Sequence, residues 1–179
     1  MTFSNRSQRV YVIGEVGQAH DGSLGIAHSY IDALADAGVS AVKFQMHIAD
    51  AESSSFEMFR VPFSYEDKTR YDYWKRMEFT AEQWTGLKEH CDKRNVDFLV
   101  SPFSVRAFEV LESLNVTQYK IASGEVANYL LLDKIIATRK PLFLSSGLSD
   151  LSEIKTAIDR ITEVHNSLVL FQCMTQYPT

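Results

Sequence analysis

Apolar and polar positions along this chain switch between two periods. Runs such as Val10-Tyr11-Val12-Ile13 and Ala41-Val42-Lys43-Phe44-Gln45-Met46 are almost continuously apolar, as buried parallel strands are. Between these two runs, Leu24, Ala27, Ile31, Leu34 and Ala35 recur at helical spacing. Ser23 offers an N-cap for that helix and Gly38 a stop. Continued along the chain, the pattern predicts strands at 10–16, 41–46, 97–100, 117–121, 141–144 and 168–173. It predicts helices at 23–37, 80–94, 105–114, 129–138 and 151–165. The second of these opens on Thr80 with Gln83 at the third helical position, a capping-box pair.

One stretch breaks the alternation. Residues 47–79 are irregular and rich in aromatics, among them Phe56, Phe59, Phe63, Tyr65, Tyr71, Tyr73 and Trp74. Excursions of this length inside compact domains are uncommon and often functional. The reading taken here is a packed excursion with a short helix near Tyr71 to Met77; the alternative is a mobile substrate lid.

About six strands and five helices in alternation define an α/β protein. Two architectures fit: an open doubly wound sheet, or an incomplete (β/α)8 TIM barrel. No GxGxxG follows the first strand, which disfavours a dinucleotide fold. Polar residues close nearly every strand, and a barrel gathers all such ends on one face, so the barrel is expected.

Composition narrows the function. The 179 residues suffice for one domain with a real core, and the net charge of −5 with no basic run gives no reason to expect nucleic acid. The longest apolar runs are too short for a bilayer. Cys91 and Cys173 show no paired spacing and no signal peptide is evident, so a cytoplasmic protein is expected. Residues 1–8 read as a frayed leader.

The candidate chemistry lies where strands end. Lys43 and Lys120 each stand in a short apolar run, and a lysine is rarely buried without a partner. Side-chain alternation points Lys43 and Gln45 to one face and Val42, Phe44 and Met46 to the other. It sends Lys120 inward, and Glu15 too if Val10 and Val12 pack on helices. Such lysines could pair with phosphate or carboxylate, act as Schiff-base nucleophiles, or merely form a structural ion pair such as Glu15 with Lys43. Hydroxyl and glycine triplets mark the same ends: Ser101-Pro102-Phe103, Ser123-Gly124-Glu125 and Ser145-Ser146-Gly147. Together they suggest phosphate. Glu125 could be a general acid/base or a helix N-terminal residue. His20, after the first strand, could bind substrate or metal or simply serve the turn, and His47 is a weaker case. His28, His90, His165, Cys91 and Cys173 read as structural.

These segments together resemble the sialic acid (N-acetylneuraminate) synthase family. The similar segments are Ile13-Gly14-Glu15-Val16-Gly17, His20-Asp21-Gly22-Ser23, Ala41-Val42-Lys43-Phe44-Gln45, Ser101-Pro102-Phe103, Tyr119 to Glu125, Lys140-Pro141 with Leu144 to Gly147, and Tyr177-Pro178-Thr179. The resemblance implies a TIM-barrel synthase that condenses phosphoenolpyruvate with an N-acetylated amino sugar to a nonulosonic acid, phosphate leaving by C–O cleavage. By motif match, Lys43, Lys120, Ser101, Ser123 and Ser145 would hold phosphoenolpyruvate. Gln45 and Tyr177 would contact sugar or product, with His20 on the same rim. Glu15 and Glu125 would handle protons. The resemblance also implies a divalent metal, Mn2+ or Mg2+, whose ligands fall outside this chain, so no residue here is assigned to it. It further implies a homodimer and a C-terminal antifreeze-like domain in the full-length protein. Residues 1–179 are accordingly expected to be the N-terminal part of a barrel, catalytically incomplete alone. Two other readings stay open: a Schiff-base aldolase using Lys120, or a non-catalytic fragment that binds phosphoenolpyruvate or assembles with another chain. Ala19-His20-Asp21-Gly22 and Met174-Thr175-Gln176 depart from the family pattern and leave the sugar undefined.

Overall fold

The computed structural model of the chain describes residues 10–174 and 176. They divide into two compact units, 10–115 and 116 onwards. The first contains strands β1 (Ile13–Gly17), β2 (Ala41–Met46) and β3 (Asp97–Pro102), with helices α1 (Leu24–Asp36), α2 (Ala49–Glu52), α3 (Arg70–Met77), α4 (Ala81–Lys93) and α5 (Val105–Ser113). Its sheet is parallel, in the order β1-β2-β3. The second contains β4 (Tyr119–Ile121), β5 (Leu142–Ser145) and β6 (Leu168–Phe171), with α6 (Tyr129–Ala137), α7 (Leu151–Thr162) and a 3-10 turn at Ser123–Glu125. Its sheet is also parallel, in the order β4-β5-β6. The α/β alternation is as expected, but the six described strands form two three-stranded sheets, not one ladder.

The predicted helices form where their caps place them. Ser23 accepts from the Ile26 N–H at the start of α1, and Thr80 and Gln83 complete a capping box on α4. Four helices stop on a residue with positive φ: Gly38 after α1, Asn95 after α4, Asn115 after α5 and Arg139 after α6. The left-handed turn satisfies the last carbonyls and redirects the chain toward the next strand.

Phe44 shows how the first unit is packed. It lies on the face of β2 opposite Lys43 and is fully buried. Its ring meets Trp84 of α4 edge-on at 5.9 Å and Phe98 of β3 at 5.9 Å. Leu87 and Cys91 extend the same layer, and burial pushes the Cys91 thiol up to about 12, so it is an inert core group. In the second unit Tyr119, Ile121, Leu142 and Leu144 form the sheet core under Leu131, Ile135 and Ile161.

Several boundaries differ from the pattern. The first strand was expected from Val10, but Val10 and Val12 are 82% and 49% exposed, and β1 begins at Ile13. The lead-in is tied down nonetheless: Tyr11 Oη donates to Asp97 Oδ2 at 2.6 Å, the Val12 carbonyl accepts from Ser40 N at 2.8 Å and Ala41 N at 3.2 Å, and Val12 N donates to Ser40 Oγ at 3.2 Å. Strand six ends at Phe171 rather than Cys173. Helix α2 was not anticipated, because four residues carry no periodicity. The excursion is packed only in part: Phe59, Phe63, Tyr73 and Trp74 form a chain of ring contacts, whereas Phe56, Met58, Val61 and Tyr65 are exposed. Arg76 pins it to the loop after β1, donating to Asp67 at 2.7 Å and Asp21 at 2.5 Å. Gly22 in that loop has φ +76, and a Cβ there would strike the Arg76 carbonyl.

Candidate functional site

Each sheet carries polar side chains at its carboxyl end. In the first unit, β1 and β2 place Glu15 and Lys43 in register. Lys43 Nζ donates to Glu15 Oε2 at 2.7 Å. The lysine side chain is buried, while Glu15 is half exposed. The ion pair weighed from the sequence is therefore formed, with its carboxylate open to solvent and its ammonium covered. One residue pair further along, Gln45 aligns with Ser101.

Three buried polar atoms in this unit lack a hydrogen-bond partner: Ser101 Oγ, Gln18 Oε1 and His20 Nε2. Buried polar groups are almost always bonded, so orphans near strand ends mark places where a ligand or water belongs. Gln18 had not been singled out; nothing in a turn glutamine distinguishes it before the fold is known. It reaches the Gln45 carbonyl through Nε2 at 3.5 Å.

His20 is fully buried against Phe79, ring centroids 4.7 Å apart. Burial lowers its pKa to about 4; Asp21 opposes this and His47 adds to it. The ring is therefore neutral at pH 7. Its Nδ1 accepts the Gly22 N–H at 3.1 Å, so Nε2 carries the proton. Its Nε2–H is a donor open to an acceptor oxygen.

The same burial makes a stability prediction. An unfolded imidazole protonates near 6.5, whereas the folded one resists until about 4. The unfolded state binds more protons in that window, so the stability present above 6.5 declines as pH falls toward 4. The expected loss is about 2–3 kcal/mol. His20→Asn keeps an acceptor for the Gly22 N–H and removes the titration. Urea unfolding at pH 7 and pH 4.5 should show a wild-type decline larger than that of His20→Asn; parallel declines would contradict it.

In the second unit Lys120 is the buried central residue of β4. Its Nζ donates to the Ile121 carbonyl at 2.9 Å and closely to Ser145 Oγ on β5. The ammonium also sits 5.5 Å above the Phe171 ring. Cys173 Sγ approaches Ser145 Oγ at 3.4 Å, so this cysteine borders the cluster instead of filling the core. Ser123 and Glu125 lie in the 3-10 turn after β4. The Ser123 carbonyl accepts from Ser149 at 3.3 Å. Glu125 Oε2 accepts from Asn128 Nδ2 at 2.7 Å, and Asn128 caps α6. Glu125 thus helps hold a helix start, one of the two roles open to it. Tyr177 lies outside the described residues. Among the described residues, no group of three or more His, Cys, Asp or Glu side chains is arranged to hold a metal ion. Nor is any helix there long and apolar enough to cross a membrane.

Known proteins share this organisation. The chain is 31% identical over 183 residues to the N,N'-diacetyllegionaminic acid synthase of Legionella pneumophila, covering 96% of this chain and 51% of that protein. It is 32% identical over 173 residues to the N-acetylneuraminate-9-phosphate synthase of Drosophila melanogaster, covering 95% and 46%. The chain spans about half the length of these curated relatives. Among solved structures, the N-acetylneuraminic acid synthetase of Leptospira borgpetersenii superposes with a TM-score of 0.84 at 30% identity, over 100% of this chain and 60% of that one. The sequence profile of the NeuB family matches residues 30–179. On that match, and on the identity to these relatives, the chain belongs to the NeuB family.

Proposed function

We propose that this chain serves the condensation of phosphoenolpyruvate with an N-acetylated amino sugar, and that its own residues capture the phosphoenolpyruvate. The observation that carries this reading is the buried Lys120 ammonium held beside the Ser145 hydroxyl at the end of a parallel strand. A covered cation with hydroxyl donors beside it suits a compact anion. Family membership supports the substrate class, since the relatives are named as synthases of sialic-type acids.

In this reading Lys120, Ser123 and Ser145 bind phosphoenolpyruvate, and Lys43 and Ser101 are further candidates for that role. Gln45 and His20 offer hydrogen bonds to the sugar. The enol carbon of phosphoenolpyruvate attacks the sugar aldehyde, water adds at the adjacent carbon, and phosphate leaves with its bridging oxygen. Glu15, half exposed beside Lys43, could hold or release a proton. Glu125 is the second candidate. The divalent metal of the family finds no fitting donor set among the described residues, and no residue is assigned to it. The βα alternation and the likeness to the Leptospira structure support reading the strands as part of a (β/α)8 barrel.

The aldolase reading asks Lys120 to act as a free amine. Its contacts with the Ile121 carbonyl and Ser145 Oγ can be made by an amine and an ammonium alike, so a chemical test separates the readings. Borohydride reduction in the presence of pyruvate separates the two. No adduct on Lys120 is expected by mass spectrometry; a stoichiometric adduct there would overturn the proposal in favour of the aldolase.

A further inference from the structure

The first unit holds a polar chain that the proposed reaction does not use. His47 directly follows β2 and is buried. Its ring lies between Trp74 of α3, centroids 3.6 Å apart at 6°, and Phe103 beyond β3, 4.0 Å at 20°. Its Nδ1 faces the two oxygens of Glu52 at 3.1 and 3.0 Å. Glu52 Oε1 in turn accepts the Ile48 N–H at 2.8 Å. A carboxylate so placed is an acceptor, so Nδ1 carries a proton. Aromatic faces on both sides and a two-oxygen partner leave the ring no freedom to turn. Its Nε2 therefore has a fixed direction, and Gln45 Oε1 lies 3.4 Å along it.

A side-chain amide can be turned over at little cost, which exchanges its donor end for its acceptor end. A fixed imidazole beside it removes that freedom. Nε2 of the ring faces Gln45 Oε1, so the other end of the amide, Gln45 Nε2, points away from His47. The Gln45 Nε2 end then lies beside Gly17, close to the Glu15 carboxylate.

We propose that Glu52 and His47 are positioning residues that fix the Gln45 amide, so that Gln45 presents N–H donors to an acceptor oxygen of the sugar. That oxygen is a hydroxyl or the acyl carbonyl. The proposal rests on the reading of Gln45 as a sugar contact.

His47→Phe keeps the stack of three rings and removes both nitrogens. The Gln45 side-chain NH2 pair, assigned by its loss in Gln45→Leu, reports the amide in 1H–15N spectra. In the wild type the pair should differ from that of a free glutamine and should shift with N-acetylmannosamine. In His47→Phe it should move to free-amide positions, and the sugar should bind about tenfold more weakly, one hydrogen bond's worth. Glu52→Gln should reproduce the change and Glu52→Asp partly restore it. If His47→Phe fails to fold, the Glu52 pair carries the test. An unchanged Gln45 pair in His47→Phe would overturn the positioning role. A wild-type pair that ignores N-acetylmannosamine would overturn the sugar contact. The phosphoenolpyruvate-induced rise in unfolding midpoint reads the Lys120 cluster separately and should persist in His47→Phe. Its absence from the wild type would count against the proposed function, while the amide spectra would still decide the positioning role.

Discussion

Replacing Lys120 with alanine should weaken phosphoenolpyruvate binding about 100-fold, read by titration calorimetry. Loss of a charge-assisted hydrogen bond is worth about 1.5–3 kcal/mol, and the ligand's anion would also face a desolvated wall. The hydroxyl of Ser145 would lose its closest partner and could not replace the charge. Lys120→Arg should restore little. The ammonium points at a carbonyl and a hydroxyl on adjacent strands, whereas a guanidinium is a larger planar fork that the covered site does not fit. A Lys120→Ala affinity within threefold of the wild type would remove Lys120 from the binding site. The second unit should still fold in the variant, because its apolar core lies in Tyr119, Ile121, Leu142 and Leu144.

Phe44→Ala should cost about 3–5 kcal/mol in urea unfolding, the range for emptying a buried phenyl site. That is a large part of the 5–15 kcal/mol typical of a domain. Phe44 is fully buried, and Trp84 and Phe98 contact it from a helix and a neighbouring strand. Neither can collapse into the space without leaving its own element. Phe44→Leu should cost less, about 1–2 kcal/mol, since most of the volume is retained. The pair also bears on function. Phe44 packs behind Lys43 on the same strand, so its loss should loosen the Lys43–Glu15 pair. A cost below about 1 kcal/mol for Phe44→Ala would mean that β2 is not the centre of its unit.

Much of this was legible in the chain. The period-two reading of Ala41 to Met46 separated Lys43 and Gln45 from Phe44 and Met46, and the structure keeps that separation. Ser23 and Thr80 marked helix starts because capping is a local interaction, set by residues three apart. What escaped was non-local. Val10 and Val12 look like strand residues by composition, but Val12 meets only the start of β2, through Ser40 and Ala41, and the paired register begins at Ile13. The division into two sheets depends on pairing between distant segments, which periodicity does not report. His47 had been weighed as a weak site candidate. Its clamp joins Glu52, Trp74 and Phe103 from three separate elements, and only Glu52 is near it in sequence. The role of Glu125 stayed open for a similar reason: its partner, Asn128, is close in sequence, but the turn that brings them together was not predicted.

Phosphoenolpyruvate capture is tested most directly by the thermal unfolding midpoint of the wild-type chain across a phosphoenolpyruvate series, with inorganic phosphate and pyruvate in parallel. A ligand that binds only the folded state stabilises it by about 2.7 kcal/mol at 100 times its dissociation constant. The midpoint should rise with phosphoenolpyruvate at concentrations where phosphate and pyruvate, each offering half the ligand, leave it nearly unchanged. A flat midpoint with a cooperative transition, or equal rises with all three anions, would contradict the proposal.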